Sequence, residues 1–144
     1  MSLPSKSTLF KNIQRSIDSR GEILSIVDEP VCNVSLITCS AGSIRSNHYH
    51  HSDFHLMYVL EGEIDYFFKD LSSEKIHYLK IRRGENIFTP CNEIHATYFP
   101  IKTQLIVSSK YPRDQETYEK DTVRVPLITI ENIDNMLQKY ADNK

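Results

Sequence analysis

The chain has 144 residues, the usual size of one domain, and 40% of them are hydrophobic, which is enough for one core but not for two. Its 17 basic and 19 acidic residues nearly cancel, so a basic surface that would bind nucleic acid is not expected. No apolar run approaches the length of a membrane span, and the first ten residues lack the apolar core of a signal peptide. We therefore expect a soluble protein without nucleic-acid or membrane partners.

Cysteine usage indicates the compartment. Cys32, Cys39 and Cys91 are odd in number and contain no Cys-x-x-Cys pair. This pattern argues against a framework of disulfides and favours a reducing environment. We expect the protein to be cytoplasmic.

Most of the chain has the sequence pattern of short β-strands. Residues 1–20 are polar with scattered apolar side chains, and either a short helix or an extended arm fits them. From Gly21 onward, short runs rich in Ile, Val, Tyr and Phe alternate with turn residues, a pattern typical of an all-β sandwich or barrel. The predicted strands are 22–27, 34–38, 44–50, 54–60, 63–69, 75–81, 86–89, 94–99 and 104–108.

The C-terminal part differs in character. Residues 111–124 are rich in charge, and we expect them to form an exposed wrap or a dimer contact rather than a binding site. A helix is predicted from about Ile130 to Tyr140, with Thr129 as N-cap and an apolar stripe that docks on the rest of the fold. The predicted organisation is an N-terminal arm at 1–20, a barrel at 21–110, and a charged loop with a packed helix at 111–144.

The histidines suggest a metal site. His48 and His50 point to the same face of a predicted strand, about 7 Å apart along it. A turn after them would return the chain antiparallel, so that His55 faces the pair, and His95 lies on a later strand. Neutral imidazole is a common ligand for zinc, iron, nickel and copper, although a buried histidine can also be an ordinary core residue. His51 should point to the opposite face.

Two stretches resemble the two sequence motifs of the cupin superfamily. In the first, Gly42 is followed after five residues by His48-x-His50, after four more by His55, and after six more by Gly62. Every spacing matches the family motif, but His55 stands where the family has glutamate.

The second stretch matches nearly as well. Gly84 is followed after five residues by Pro90-x-Asn92, after two more by His95, and after three more by Phe99. Asn92 replaces a glycine, and asparagine tolerates the left-handed backbone that a turn can require. Phe99 replaces the terminal asparagine of the motif.

The resemblance covers Gly42–Phe99, and the strand pattern extends it to about Ser108. It implies a double-stranded β-helix (jelly-roll) barrel with a short C-terminal helix, often a homodimer, holding one divalent metal ion inside its mouth. The sequence does not choose among zinc, iron, nickel, manganese and cobalt. The implied metal ligands are His48, His50, His55 and His95.

A small-molecule pocket should surround these ligands. Because successive side chains of a strand point to opposite faces, two apolar side chains share the face of His55 and two further side chains share the face of His95. Small-molecule pockets are often lined by apolar side chains. Arg45 and Glu93 are close enough to the ligands in sequence to contact a polar substrate, although such residues are more often simply solvated. The predicted pocket-lining residues are Met57, Val59, Thr97 and Phe99, and no catalytic acid or base can be named.

Several functions are compatible with this pattern. Four neutral ligands leave a divalent ion its full charge, which strengthens its pull on an enolate oxygen. Our leading hypothesis is therefore a metal-binding cupin that isomerises or epimerises a small polar molecule such as a sugar or nucleotide sugar. Arg45-Ser46-x-His48-x-His50 also partly resembles the Arg-Gly-x-His-x-His of sugar-nucleotide 3,4-ketoisomerases, in which histidines act as acid–base groups without metal. The alternatives are an iron-dependent dioxygenase and a non-enzymatic metal- or ligand-binding barrel.

Overall fold

The computed structural model describes residues 3–141, which contain twelve strands and two short helices. The helices are α1 (Gln115–Asp121) and α2 (Ile133–Met136), and a π-helical turn, Leu137–Ala141, continues α2. None of the described helices is long and apolar enough to cross a membrane. The strands are β1 (Thr8–Phe10), β2 (Ile13–Asp18), β3 (Gly21–Ser25), β4 (Asn33–Cys39), β5 (Ser43–His50), β6 (His55–Glu61), β7 (Glu63–Asp70), β8 (His77–Arg82), β9 (Asn86–Thr89), β10 (Glu93–Phe99), β11 (Thr103–Ser109) and β12 (Thr122–Arg124).

The strands form two five-stranded sheets and one hairpin. One sheet has the order β1-β9-β6-β11-β4, the other the order β12-β5-β10-β7-β8, and β2 pairs with β3. Side chains from both large sheets form a single buried cluster, so the two sheets face each other across the main core. The all-β prediction is confirmed, and all nine predicted strands form within two residues of their predicted ends.

The N-terminal segment is extended rather than helical. Its described part forms β1 and β2, and β1 joins the edge of the first sheet, where Leu9 lies opposite Ile87. The first two residues of the predicted N-terminal arm and the last three of the predicted C-terminal segment lie outside the described residues.

The outer face of the second sheet is covered by the C-terminal segment, as the apolar stripe predicted. The predicted helix start is wrong, because the helix begins at Ile133 and Asn132 is its N-cap. Asn132 Oδ1 accepts a hydrogen bond from Thr129 N at 2.8 Å, and Asn132 N donates to Thr129 Oγ1 at 3.2 Å, which holds a turn at this point. Ile130 in that turn is therefore 83% exposed. The buried residues of this second cluster are Phe67, Tyr78, Ala96, Ile128 and Ile133.

Turns with left-handed backbone connect the strands at the positions where the two motifs require them. Asn92, which replaces a motif glycine, adopts φ +58°, as expected. Gly62 has φ +92°, and a Cβ atom added there would lie 2.7 Å from the carbonyl oxygen of Lys102. Gly84 has a similar φ of +84°, but a Cβ atom there would meet no atom within 4 Å. A side chain at Gly84 would therefore introduce backbone strain alone, whereas a side chain at Gly62 would add a steric clash to that strain.

We predict that Gly62→Ala lowers the free energy of unfolding by about 3 kcal/mol, because left-handed strain and a clash with backbone atoms add together. Gly84→Ala is the matched control and should cost about 1 kcal/mol, from strain alone. Urea denaturation of both variants measures the difference. Equal losses in the two variants would show that the close approach at Gly62 is unimportant.

Candidate metal centre

All four predicted ligands come together at one end of the core. The pairing of β5 with β10 places His48 opposite His95 in the second sheet, while β6 supplies His55 from the first sheet. The four side chains are buried, with 1% to 7% exposure. The ring centroid of His48 lies 4.7 Å from the ring centroids of both His50 and His95. The ring centroid of His55 lies 4.7 Å from that of His50.

A β-bulge directs the first ligand. Ser46 and Asn47 have φ values of +70° and +59°, and the register between β5 and β10 shifts next to His95. A bulge of this kind bends a strand and redirects the side chain that follows it. Asn47 is fixed by the C-terminal segment, because its Oδ1 accepts hydrogen bonds at 2.9 Å from the backbone N–H groups of Leu127 and Ile128.

The donor atoms are close enough to share an ion. One ring nitrogen from each of His48, His50 and His95 lies within 4.8 Å of the others. A second group with the same property combines His50 and His55 with the carboxylate of Asp53. The two groups share His50, so the four histidines and Asp53 form one continuous cluster.

Each of three rings is anchored through one nitrogen. Thr122 Oγ1 donates its hydrogen to Tyr118 O at 2.6 Å, so its lone pair is available to His50 Nδ1–H at 3.3 Å. His55 Nε2 lies 3.1 Å from Asp53 Oδ2, and His95 Nδ1 lies 3.4 Å from the carbonyl oxygen of Glu93. When one ring nitrogen donates in this way, the other keeps a lone pair for a metal ion.

One nitrogen directly tests whether a metal fits. Nε2 of His50 is buried and has no hydrogen-bond partner among the described residues. Leaving a buried polar atom unpaired costs about 1–3 kcal/mol, so such atoms are rare unless a ligand or water pairs with them. A divalent ion between these rings would give that nitrogen a partner, and the donor set therefore fits a metal.

Burial also keeps the rings in the ligating form. Desolvation, reinforced by the neighbouring imidazoles, lowers the pKa of His48 to about 3 and the pKa of His50 to about 4. The same causes hold the pKa of His95 well below its ordinary value. These imidazoles are therefore neutral near pH 7, which is the form that binds metal.

A cavity of about 70 Å³ opens beside the rings. Met57, Thr97 and Phe99, three of the four predicted lining residues, contribute to its wall. Val59 does not. Val59 is completely buried in the core. The alternation of side chains along β6 predicted the face on which Val59 lies, but not how deep in the core it lies.

Residues 111–124 are partly exposed, as expected of a wrap, but contrary to our expectation they also contribute to the site. Asp114 caps α1, since its Oδ2 accepts from Thr117 N at 3.0 Å, and β12 then pairs with β5 beside the histidines. The segment places Arg113 and Tyr118 in the cavity wall. An aspartate three residues before Thr117 could have predicted the start of the helix, but no local pattern predicts the long-range pairing of β12.

Two arginines at the cavity have no carboxylate partner among the described residues. Arg45 lines the wall, and the guanidinium of Arg113 lies 5.2 Å from the ring centroid of Tyr118. That ring in turn lies 6.1 Å from the ring of His48. The cavity therefore combines imidazoles with positive charge that no carboxylate of the described residues neutralises.

The remaining polar candidates lie outside the cavity. Glu93 is 1% exposed, and its carboxylate accepts hydrogen bonds from the backbone N–H and the hydroxyl of Ser7. Burial raises the pKa of Glu93 to about 6. His51 is exposed, and His77 stacks on Phe68 with ring centroids 5.1 Å apart. Glu93 therefore fixes the N-terminal segment to β10 through Ser7.

Comparisons with known proteins find similarity in structure only. No family model and no curated protein matches the sequence. QdtA, a sugar 3,4-ketoisomerase from Thermoanaerobacterium thermosaccharolyticum solved with TDP, matches with a TM-score of 0.66 and 17% identity over 98% of each chain. A variant of QdtA has been solved in complex with TDP-4-keto-6-deoxyglucose.

Two further structures match part of the chain. WlaRA, a TDP-fucose-3,4-ketoisomerase from Campylobacter jejuni, has a TM-score of 0.67 and 14% identity over 81% of this chain and 87% of its own. The capsular polysaccharide assembling protein CapF from Staphylococcus aureus has a TM-score of 0.62 and 17% identity over 82% of this chain. The match spans only 33% of the CapF chain. At such identities the likeness establishes the fold, and the chemistry must be argued from the residues.

We predict that the metal-free protein loses stability as the pH falls from about 6.5 toward 4. The folded state keeps His48 and His50 neutral, whereas the unfolded chain takes up protons below about pH 6.5. Because the unfolded state binds more protons in this window, the free energy of unfolding rises with pH.

Chemical denaturation at several pH values, with a chelator present, measures this slope. A His48→Gln, His50→Gln double variant should show a shallower slope. His51→Gln, which changes an exposed histidine, is the control and should retain the wild-type slope. An unchanged slope in the double variant would contradict the prediction.

Proposed function

We propose that this chain, which has the cupin fold, binds one divalent metal ion through His48, His50, His55 and His95 and isomerises a nucleotide-linked keto sugar there. The observation that carries the proposal is the set of buried, anchored imidazoles, above all the unpartnered Nε2 of His50. The solved ketoisomerases of the same fold support the substrate class.

The anchoring contacts give the chain a preformed ligand set. The Nδ1 atoms of His50 and His95 are engaged by Thr122 and by the Glu93 carbonyl, so both rings are fixed before an ion arrives. Preorganisation of this kind raises metal affinity, because less ring rotation is lost on binding. When bound, a divalent ion would supply Lewis-acid polarisation of a carbonyl or enolate oxygen.

The substrate would be recognised by charge. Arg45 and Arg113 line the same cavity and have no carboxylate partner among the described residues. Guanidinium groups bind phosphate and enolate oxygens well, because their N–H groups form paired hydrogen bonds. An anionic substrate would pair with both arginines.

Shape limits what can enter. The cavity, at about 70 Å³, is much smaller than the roughly 300–1,000 Å³ of sites that enclose a drug-sized ligand. Only the keto sugar would reach the histidines, while the phosphates would pair with the arginines at the mouth and the nucleoside would lie outside it. Tyr118, whose ring lies 5.6 Å from that of His50, would help to exclude water from the reacting end.

One alternative keeps the reaction but not the metal. The resemblance of Arg45-Ser46-x-His48-x-His50 to sugar-nucleotide ketoisomerases favours an imidazole that removes a proton beside a carbonyl. The same cavity and arginines would bind the substrate. Metal content separates the two versions.

We predict about one equivalent of metal per wild-type chain by elemental analysis of untagged protein. His48→Ala and His95→Ala should each lose it, because each removes a donor from a buried set. His77→Ala is the control and should retain the metal, since His77 stacks on Phe68 outside the cluster.

If the wild type binds no metal after incubation with each candidate ion, the metal part of the proposal fails and the acid–base version remains. Bound iron together with oxygen consumption would indicate a dioxygenase. A bound ion without any turnover would favour a non-enzymatic binding protein.

We also predict that Arg113→Gln raises the KM for TDP-4-keto-6-deoxyglucose about 10- to 100-fold, because a charged hydrogen bond contributes about 1.5–3 kcal/mol. NMR of the sugar product, with solvent deuterium exchange beside the carbonyl, measures the reaction. Arg83→Gln is the matched control, since Arg83 is 73% exposed in a surface ion pair with Glu61. A wild-type protein that neither converts this substrate nor exchanges its protons would contradict the isomerase proposal for this sugar.

A further inference from the structure

A buried carboxylate lies beside the histidine that replaces the motif glutamate. Asp53 is 4% exposed and precedes His55 by two residues. Its Oδ2 is 3.1 Å from His55 Nε2, and its Oδ1 accepts from Tyr111 N at 3.2 Å. Asp53 N donates to Asp121 Oδ2 at 2.9 Å. Both carboxylate oxygens and the backbone N–H of Asp53 are thus engaged.

The position of Asp53 bears on the charge of the centre. The cupin motif carries glutamate where this chain has His55, so the four expected ligands are all neutral. The structure places a carboxylate beside His55, because one oxygen of Asp53 lies within 4.8 Å of ring nitrogens of His50 and His55. A nearby negative charge stabilises a bound cation and raises the basicity of a ligating imidazole.

We propose that Asp53 is the positioning residue of the metal centre and supplies the negative charge that the missing glutamate would have contributed. Its carboxylate accepts the Nε2–H of His55, which fixes the tautomer and leaves Nδ1 as the nitrogen with a lone pair. This inference rests on the proposed metal site.

Asp121 has a different role, although it also lies near the rings. Its two carboxylate oxygens accept the backbone N–H groups of Ser52 and Asp53, each at 2.9 Å. Its contact with His50 Nδ1 is longer, at 3.6 Å. Asp121 therefore holds the turn that presents Asp53, and Asp53 makes the direct contact with a ligand.

The substitution Asp53→Asn removes the negative charge of the side chain but keeps its size and shape. The amide retains an oxygen that can accept from Tyr111 N, so the backbone contact survives. Its NH₂ group faces His55 Nε2 and can only donate, so the charge is lost and the opposite tautomer is favoured. A purely structural role for Asp53 would be largely preserved by this change.

The experiment is a competition titration of Co²⁺ and Zn²⁺ against a chelator, with the Co²⁺ absorption spectrum recorded. Asp53→Asn should raise the metal Kd about 10- to 100-fold and alter the Co²⁺ spectrum. Asp18→Asn is the matched control, because Asp18 pairs with Arg20 at the surface and loses the same charge away from the site. The control should bind like the wild type.

A second measurement needs no variant. Long-range ¹H–¹⁵N NMR of the metal-free wild type should show His55 as the Nε2–H tautomer. An Nδ1–H tautomer, or equal metal affinity in Asp53→Asn and wild type, overturns the inference while the metal site stands. A wild type that binds neither ion overturns the proposed metal site itself, and the positioning role fails with it.

Discussion

The antiparallel pairing of β5 with β10 is the contact on which the site depends, because it sets His48 opposite His95 in the same sheet. The bulge at Asn47 lies within this pairing and redirects the chain just before His48. Asn47 in turn binds the backbone of the C-terminal segment, which packs on the outer face of the same sheet. The geometry of the ligands is therefore coupled to packing on the far side of the sheet.

Placing so many imidazoles in a dry core has an energetic consequence. A buried imidazole is costly when it carries an uncompensated charge or when a ring nitrogen lacks a hydrogen-bond partner. One nitrogen of each of three rings has a hydrogen-bond acceptor beside it. The acceptors are a hydroxyl for His50, a carbonyl for His95 and a carboxylate for His55. Nε2 of His50 is buried and has no such partner among the residues that the structure describes.

Local sequence patterns predicted the elements and the faces but not the long-range contacts. The alternation of apolar residues located nine strands, and parity placed His48 and His50 on one face, because both follow from backbone geometry alone. Val59 shows the limit of this argument, since parity cannot tell the cavity wall from the deeper core. Asp121 and Arg113 could not be placed, because their positions depend on the pairing of β12 with β5, about 70 residues apart in sequence. The helix start was missed because side-chain bonds between Thr129 and Asn132 compete with helix formation.

The distribution of charge around the rings bears on the proposed function. The carboxylates of Asp53 and Asp121 lie behind the rings, whereas the guanidinium groups of Arg45 and Arg113 line the cavity in front of them. A cation held between the rings would be balanced from behind and would face a cavity that already carries positive charge. Such a field attracts an anion and stabilises negative charge that develops on an oxygen during enolisation. Guanidinium groups pair with anions, so this arrangement supports the anionic substrate of the proposed function.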